Sequence, residues 1–261
     1  MNGILENRGL WGAHLHEFET LASTNQWALD NIRQLGHGDV VRAIRQTSGR
    51  GRFDRKWFSP ADRCLTISVV IKPKADNDTF ISTLGFSAAL AVRSALERHS
   101  IDAMVKWPND VVVNGRKIAG ILIERESNTG ALVLGIGLNV NLAGQDIKKM
   151  ELSYPATSMA IETGMAYNIG QVYSAVTGEL QRFLEASDVE GIAAILREWR
   201  KHDFLTGKAV EVQTTECRIT GKYAGIDPSG RLMIVDEAGK ESLFWTGDVT
   251  LRVATHPNTS D

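Results

Sequence analysis

The stretch at residues 110–124, DVVVNGRKIAGILIE, is the sequence feature that most restricts the fold. Asn114 and Gly115 stand between two apolar runs, which is the pattern of a β-hairpin with a two-residue turn. The turn sets the register, and three pairs follow from it: Val113 with Arg116, Val112 with Lys117, and Asp110 with Ala119. Asp110 and Lys117 then lie on one face, about 7–8 Å apart. Such a pair is typical either of the wall of a site or of a surface ion pair.

The rest of the chain mixes helical and strand patterns. Apolar residues at helical spacing predict helices near 23–36, 78–98, 168–186 and 188–203. Other apolar runs predict strands in LHEFET, DVVRAIRQ, CLTISVVIK, MVKW and ALVLGIGLNVN. Because hairpin turns interrupt any strict alternation of strand and helix, we expect an α+β fold with a mixed sheet flanked by helices, rather than a doubly wound fold.

The pattern changes from residue 208 onward to short strands separated by the turns DPSG and EAGK. About forty-five residues of this kind predict a small appended β-barrel. We therefore expect a catalytic domain at 1–205, a barrel at 206–254 and a disordered tail at 255–261.

The composition argues against several classes of protein. A formal net charge of −2 speaks against a general nucleic-acid-binding surface. No apolar run approaches the about 20 residues of a membrane helix, and the first twenty residues lack a signal-peptide pattern. The two cysteines, Cys64 and Cys217, are too far apart in sequence to suggest a disulfide framework or a zinc site. We expect a cytoplasmic protein without a membrane partner, a nucleic-acid partner or a metal site of its own.

A concentrated group of cations lies at residues 46–57, QTSGRGRFDRKW. Glycines there let backbone amides approach a ligand, and arginine side chains suit phosphate or carboxylate oxygens. Five residues carry this pattern: Gly49, Arg50, Gly51, Arg52 and Arg55. Taken alone, the segment is as typical of a solvated loop or a nucleic-acid contact as of an anion site.

The strand segment GIGLNVN, residues 135–141, carries two glycines and a buried-strand pattern. Glycine inside a strand marks a close approach of backbone or ligand. Asn139 offers both a donor and an acceptor that could read a base edge. Without its context, packing is the more natural explanation of these glycines.

These elements occur in one order, after STNQ at residues 23–26. Together with KWPNDVVVNGRKIAGILIE and the terminal WTGDVTLRV, they make the sequence resemble the biotin protein ligases over nearly the whole chain. One departure is Asp54, where many members have glycine, although aspartate tolerates left-handed backbone better than most residues.

The resemblance implies a class II synthetase-like catalytic domain with an SH3-like C-terminal barrel. It implies that biotin reacts with ATP, with Mg²⁺ as cofactor, to give biotinyl-5'-AMP. A lysine of a biotin carboxyl carrier domain then takes the biotinyl group. The protein would be a monomer or a homodimer. Because STNQ begins at residue 23, we expect the monofunctional type without an N-terminal DNA-binding domain.

The resemblance also implies roles for individual residues. Biotin would be bound by Ser23, Thr24, Asn25, Gln46, Gly49, Arg50, Gly51, Arg52, Lys117, Leu122 and Gly135. ATP would be bound by Arg52, Arg55, Trp57, Lys117, Asn139 and Arg252. The catalytic residues would be Lys117, Arg50, Arg52 and Asp110, with Lys117 between the biotin carboxylate and the α-phosphate, and Asp110 orienting or deprotonating the acceptor lysine.

Two alternatives remain open at this point. A lipoate or octanoate ligase or transferase of the same fold could use Cys64 as a nucleophile, although Cys64 begins an apolar strand and suits a core position better. A protein of another class, a nucleic-acid-binding module, could use GRGRFDRKW as its contact.

Overall fold

The computed structural model describes residues 8–73, 78–150, 155–214 and 217–251. The chain divides into two compact units, Met1–Phe204 and Leu205–Asp261. After a short 3-10 turn at Leu10–Gly12, the strands of the first unit are β1 (Leu15–Leu21), β2 (Val40–Arg50), β3 (Lys56–Ser59), β4 (Cys64–Ile71), β5 (Met104–Lys106), β6 (Asp110–Val113), β7 (Arg116–Arg125) and β8 (Leu132–Asn139). Its helices are α1 (Thr24–Asp30), α2 (Asp78–Glu97), α3 (Gly144–Lys148), α4 (Met159–Thr163), α5 (Ile169–Glu190) and α6 (Ile192–Lys201).

One mixed sheet forms the centre of this unit, in the order β1-β2-β4-β8-β7-β6-β5, with β3 paired to β2. Strands β1 and β2 are parallel, and the other pairs are antiparallel. All eight residues of β4 are buried, which accounts for the continuous apolar run CLTISVVI in a central strand. The prediction of an α+β fold with a mixed sheet is confirmed.

Helix α1 covers one part of the sheet through a small apolar cluster. Ala28 and the following residues Ile32 and Leu35 pack with Val41, Val70, Ala131 and Val133. The predicted helix was expected to continue to Gly36, but α1 ends at Asp30. The sequence periodicity continued because the turns after Asp30 still direct Ile32 and Leu35 into the same cluster.

Helix α2 packs against α5 and α6. By length and composition, α2 could also cross a membrane, with a mean hydropathy of 1.3. The search for apolar runs in the sequence missed this helix. However, 72% of that window is buried inside the fold, as in the core helix of a soluble protein.

The β6–β7 hairpin turns at Asn114 and Gly115, which both have positive φ. Val113 pairs with Arg116 and Val112 with Lys117, as predicted. Asp110, however, lies opposite Gly120 rather than Ala119, because the register shifts between Val111 and Val112, where β7 has one extra residue, Ile118. The predicted pair of Asp110 with Ala119 is therefore wrong by one position.

The cationic segment is also more ordered than a loop. Strand β2 continues through Arg50, and β3 pairs with it from Lys56 onward. Only residues 51–55 form the turn, and Phe53 and Asp54 both have left-handed φ, 54° and 57°. Asp54 thus occupies the backbone region where glycine would be favoured.

The second unit is an antiparallel sheet of five strands: β9 (Ala209–Gln213), β10 (Arg218–Ile226), β11 (Leu232–Val235), β12 (Glu241–Phe244) and β13 (Asp248–Leu251). Their order is β12-β11-β10-β9-β13, which is consistent with the predicted SH3-like barrel. The predicted turns are present, with Gly230 and Gly239 at positive φ. The predicted tail lies outside the described residues.

Candidate active site

The N-terminus of α1 carries the first group of predicted residues, all buried: Ser23, Thr24 and Asn25. Ser23 caps the helix, because its hydroxyl accepts a hydrogen bond from the backbone of Gln26 at 3.4 Å. The side chain of Gln46, from β2, accepts from the Thr24 backbone at 2.7 Å and from its hydroxyl at 3.1 Å. The structure thus brings these four predicted biotin-binding residues together.

Ser68 of β4 joins this group, although the sequence analysis did not select it. Its hydroxyl lies 2.7 Å from the hydroxyl of Thr24 and within hydrogen-bonding distance of the side-chain oxygen of Asn25. Ser68 is fully buried. A serine in the middle of the apolar run CLTISVVI is the signal that could have identified it.

Three glycines on neighbouring strands form a floor beside this group. Gly135 and Gly137 alternate along β8, and Gly120 of β7 lies directly opposite Gly137. A Cβ atom at Gly135 would lie 2.4 Å from Oδ1 of Asn25, and one at Gly137 would lie 2.4 Å from the ring of Trp57. Side chains at these positions would therefore displace Asn25 and Trp57. Gly120 was not predicted, although it too interrupts an apolar strand.

The β2–β3 hairpin brings its glycine and arginines to the same region. A Cβ at Gly49 would lie 2.4 Å from the Trp57 carbonyl oxygen, so glycine permits this close pairing. Arg50 donates from Nη2 to Glu124 at 2.8 Å, and Arg52 donates from Nη1 to Asn109 at 3.1 Å. Glu124 and Asn109 were not predicted as site residues.

The turn of this hairpin closes through its backbone. The Gly51 N–H donates to the Arg55 carbonyl at 2.7 Å, which fixes the positions of Gly51 and Arg55 relative to each other. The guanidinium of Arg52 also lies over the ring of Phe53, 4.8 Å from its centroid. The predicted contacts of Gly51, Arg52 and Arg55 with substrate remain predictions.

Lys117 lies at the other side of the glycine floor. Its ammonium is 2.6 Å from Asp110 and 5.8 Å from the centroid of the Trp57 ring. The backbone of Lys117 is held by residues 155–157, through bonds of 2.8 Å to the Pro155 carbonyl and 2.9 Å from the Thr157 N–H. Each of two predicted catalytic cations, Arg50 and Lys117, is therefore paired with a carboxylate.

Two buried N–H groups in this region have no hydrogen-bond partner within the described chain: Nε of Arg50 and Nε1 of Trp57. Buried polar atoms are normally paired, because an unpaired one costs about 1–3 kcal/mol. Unpaired donors beside a glycine floor are a feature of a binding site for a ligand with acceptor oxygens.

The remaining predicted residues are less clearly placed for binding. Leu122 contributes its carbonyl, which accepts from Asn25 at 3.3 Å. Asn139 is buried, and its side-chain amide donates to the Thr157 carbonyl at 2.9 Å. This bond joins Asn139 to the segment that holds the backbone of Lys117. Arg252 lies outside the described residues. The predicted ATP contacts of Asn139 and Arg252 remain predictions.

Cys64 is a core residue rather than a nucleophile. It is buried, and burial raises the pKa of its thiol to about 12, so almost none of it is thiolate at neutral pH. The geometry therefore does not support a transferase that uses a cysteine nucleophile.

Comparison with known proteins agrees with this arrangement. The model of the Biotin/lipoate A/B protein ligase family matches residues 17–141. The bifunctional ligase/repressor BirA of Escherichia coli (strain K12) is 31% identical over 245 residues, which are 93% of this chain and 75% of that protein. The biotin–acetyl-CoA-carboxylase ligase of Paracoccus denitrificans is 33% identical over 225 residues, 84% of this chain and 93% of that protein.

The chain belongs to the biotin protein ligase family.

A solved member of this family has the same fold. The structure described as biotin protein ligase from Aquifex aeolicus in complex with biotin and ATP is 28% identical, with a TM-score of 0.79. The match covers 91% of this chain and 98% of that chain. The predictions of the family, of a ligase and of ATP-dependent use of biotin are confirmed at the level of the family, and the lipoate alternative is not favoured.

Proposed function

We propose that this chain joins biotin to a lysine of a carrier domain in two steps at one site. In the first step an oxygen of the biotin carboxylate attacks the α-phosphorus of ATP. The bond from that phosphorus to the bridging oxygen breaks, and pyrophosphate leaves. In the second step the lysine amine attacks the acyl carbon of biotinyl-5'-AMP, and AMP leaves.

The polar group at the N-terminus of α1 is assigned to the ureido ring of biotin. The buried residues Thr24, Asn25 and Ser68 and the half-buried Gln46 bring hydroxyl and amide groups together, and in such a place each hydrogen bond discriminates against a ligand that lacks a partner. Lipoate and octanoate have no such ring. This group therefore favours biotin over the other acids of the wider family.

The cations are assigned to the reacting end of the substrates. A carboxylate and a triphosphate repel each other, so fixed positive charge must offset the repulsion and hold the two in line. Lys117 would move from Asp110 to the oxygens of the carboxylate and the α-phosphate. Arg52 and Arg55, on the turn at 51–55, would contact the phosphates as the hairpin closes.

Mg²⁺ would enter this site with the nucleotide. Among the described residues there is no group of three His, Cys, Asp or Glu side chains that could hold a metal ion. Magnesium is commonly held by substrate phosphates and water with one or two carboxylates, and it would supply neutralisation of phosphate charge here.

The acceptor is proposed to be a biotin carboxyl carrier domain of a carboxylase. The relatives named as biotin–acetyl-CoA-carboxylase ligases, from Paracoccus denitrificans and Mycobacterium tuberculosis, support a carrier partner of this general kind. We further propose that the protein is monofunctional, as a monomer or homodimer, and that it acts in the cytoplasm without a nucleic-acid partner.

The observation that carries the proposal is the convergence of the α1 polar group, the glycine floor and Lys117 on one face of the sheet. The experiment is ATP–pyrophosphate exchange with the purified chain, using biotin, lipoate and octanoate in separate reactions. Biotin alone is expected to stimulate exchange. Stimulation by lipoate or octanoate at equal concentration, without stimulation by biotin, would contradict the proposal.

A further inference from the structure

Glu124 of β7 has a half-buried carboxylate that joins two predicted binding residues through a single atom. Its Oε2 accepts from the side-chain amide of Asn25 at 2.8 Å and from Nη2 of Arg50 at 2.8 Å. Asn25 belongs to the group assigned to the ureido ring, whereas Arg50 belongs to the group assigned to the carboxylate end. One oxygen therefore links the two ends of the biotin site.

Asn25 and Arg50 differ in how many other contacts hold their side chains. The oxygen of the Asn25 amide faces Ser68, and its nitrogen also donates to the Leu122 carbonyl at 3.3 Å. For Arg50 the Glu124 contact is the one side-chain bond found in the described structure, and its Nε is buried without a partner there. The hydrogen bond to Glu124 therefore fixes the position of the Arg50 guanidinium.

Stability of the fold does not explain this arrangement. The side chains of Arg50 and Glu124 are 36% and 25% exposed, and an ion pair at such a site contributes about 0–1 kcal/mol. Charge-assisted hydrogen bonds are directional, however, and they fix the rotamers of both partners. The Glu124 contacts thus fix the positions of the Asn25 and Arg50 side chains more than they stabilise the fold.

We propose that Glu124 is a positioning residue for biotin, which holds Asn25 and Arg50 in their binding orientations and couples them. This inference rests on the proposed function, because that proposal assigns the roles of Asn25 and Arg50. The proposal assigns no contact with the reacting atoms to Glu124. Glu124 acts through its two partners.

The first test is the affinity of the full chain for biotin alone, measured by titration calorimetry without ATP. Glu124→Gln keeps the size of the side chain but removes the charge, and we expect binding weaker by at least about 10-fold. Glu17→Gln is the matched control, because Glu17 makes a similar pair with Arg42 at 2.9 Å between β1 and β2. The control is expected to stay within about twofold of the unmodified chain.

The second test separates positioning from a general structural effect. If Glu124 acts through Asn25 and Arg50, adding Glu124→Gln to the double variant Asn25→Ala with Arg50→Ala changes biotin affinity by less than about twofold. A further loss of affinity in that triple variant would overturn the proposal. Unchanged affinity in Glu124→Gln, with an unchanged melting temperature, would also overturn it.

A third variant keeps the proposal testable if Glu124→Gln does not fold. Glu124→Asp retains the charge but is shorter by one methylene, so its oxygen cannot reach both partners. It is expected to lose at least about threefold in biotin affinity, and full affinity would overturn the proposal. Failure of the proposed function looks different, because the unmodified chain would then bind lipoate or octanoate in preference to biotin.

Discussion

The ammonium of Lys117 lies 2.6 Å from a carboxylate oxygen of Asp110, above the glycine floor formed by β7 and β8. The two residues are on opposite strands of the β6–β7 hairpin, with the extra residue of β7 between their positions. Neither side chain is fully exposed, at 28% for Lys117 and 18% for Asp110. The pair is therefore accessible to ligand but partly shielded from water, which suits the proposed transfer of the ammonium from Asp110 to substrate oxygens.

Replacing Lys117 tests its role in adenylate formation. Lys117→Ala is expected to reduce biotin-dependent release of pyrophosphate by about 100- to 1,000-fold, because a fixed charge at the reacting phosphate is lost. The fold should remain, since a partly exposed ion pair contributes little to stability. Pyrophosphate release is the measurement, with the melting temperature as the control. Release within about threefold of the unmodified chain would remove Lys117 from the mechanism.

Replacing Asp110 distinguishes the two steps. If Asp110 orients or deprotonates the acceptor lysine, Asp110→Asn slows single-turnover transfer from preformed biotinyl-5'-AMP by about 100-fold or more. Adenylate formation should change by less than about tenfold. Rapid-quench assays of each step provide the comparison. Equal losses in both steps would assign Asp110 to the placement of Lys117 instead.

The glycine floor makes a prediction about packing. Gly137→Ala places a methyl group 2.4 Å from the Trp57 ring, and such overpacking costs about 1–3 kcal/mol. We expect a lower melting temperature and weaker binding of biotin. Gly178→Ala is the control, because this helical glycine of α5 has no atom within 4 Å of an added Cβ.

Alanine at position 178 should be neutral or stabilising by up to about 1 kcal/mol, since it favours the helix. Calorimetric melting of both variants, followed by biotin titration, is the measurement. A Gly137→Ala variant that melts and binds like the unmodified chain would show that Trp57 does not lie against this floor.

The buried carboxylate of Asp39 is expected to make the free energy of unfolding depend on pH. Burial raises the pKa of Asp39, but N–H groups of Gly36 and His14, which donate at 2.7 and 2.9 Å, more than offset that effect, so its pKa lies below the ordinary value. A lowered pKa contributes stability above the unfolded value of about 3.9, and this contribution is lost as pH falls through the folded value.

Asp39→Asn is therefore expected to be about 1–2 kcal/mol less stable than the unmodified chain at pH 7, with the difference shrinking below about pH 4. Urea denaturation at pH 7, 5 and 3 provides the values. A difference that stays constant from pH 7 to pH 3 would contradict the assigned hydrogen bonds.

Parts of the fold and site could be predicted from the sequence because their signals are local. Asn114-Gly115 determines its own turn, and the pairing of Lys117 with Val112 follows directly from it. The proximity of Asp110 and Lys117 was predicted for the same reason. Capping also depends on neighbouring residues, but STNQ offers either Ser23 or Thr24 as the cap of α1, and the structure has Ser23 at that position.

Other parts depend on the order of strands in the sheet, which no local pattern determines. Ser68 meets Asn25 only because β4 and β8 are neighbours beneath α1, and Glu124 meets Arg50 across 74 residues of sequence. The extra residue in β7 was missed because IAGILI is a continuous apolar run, without the alternation of polar and apolar residues that would mark a change of register. Long-range pairing, rather than residue preference, produced these features.

The central claim is that this site activates biotin and passes it to a protein lysine. The most direct measurement is mass spectrometry of a biotin carboxyl carrier domain after incubation with the purified chain, MgATP and an equal mixture of biotin, lipoate and octanoate. We predict one biotinyl group on the carrier lysine, and none when ATP is omitted or Lys117 is replaced by alanine. A lipoyl or octanoyl group on that lysine, or biotin transfer that needs no ATP, would contradict the account.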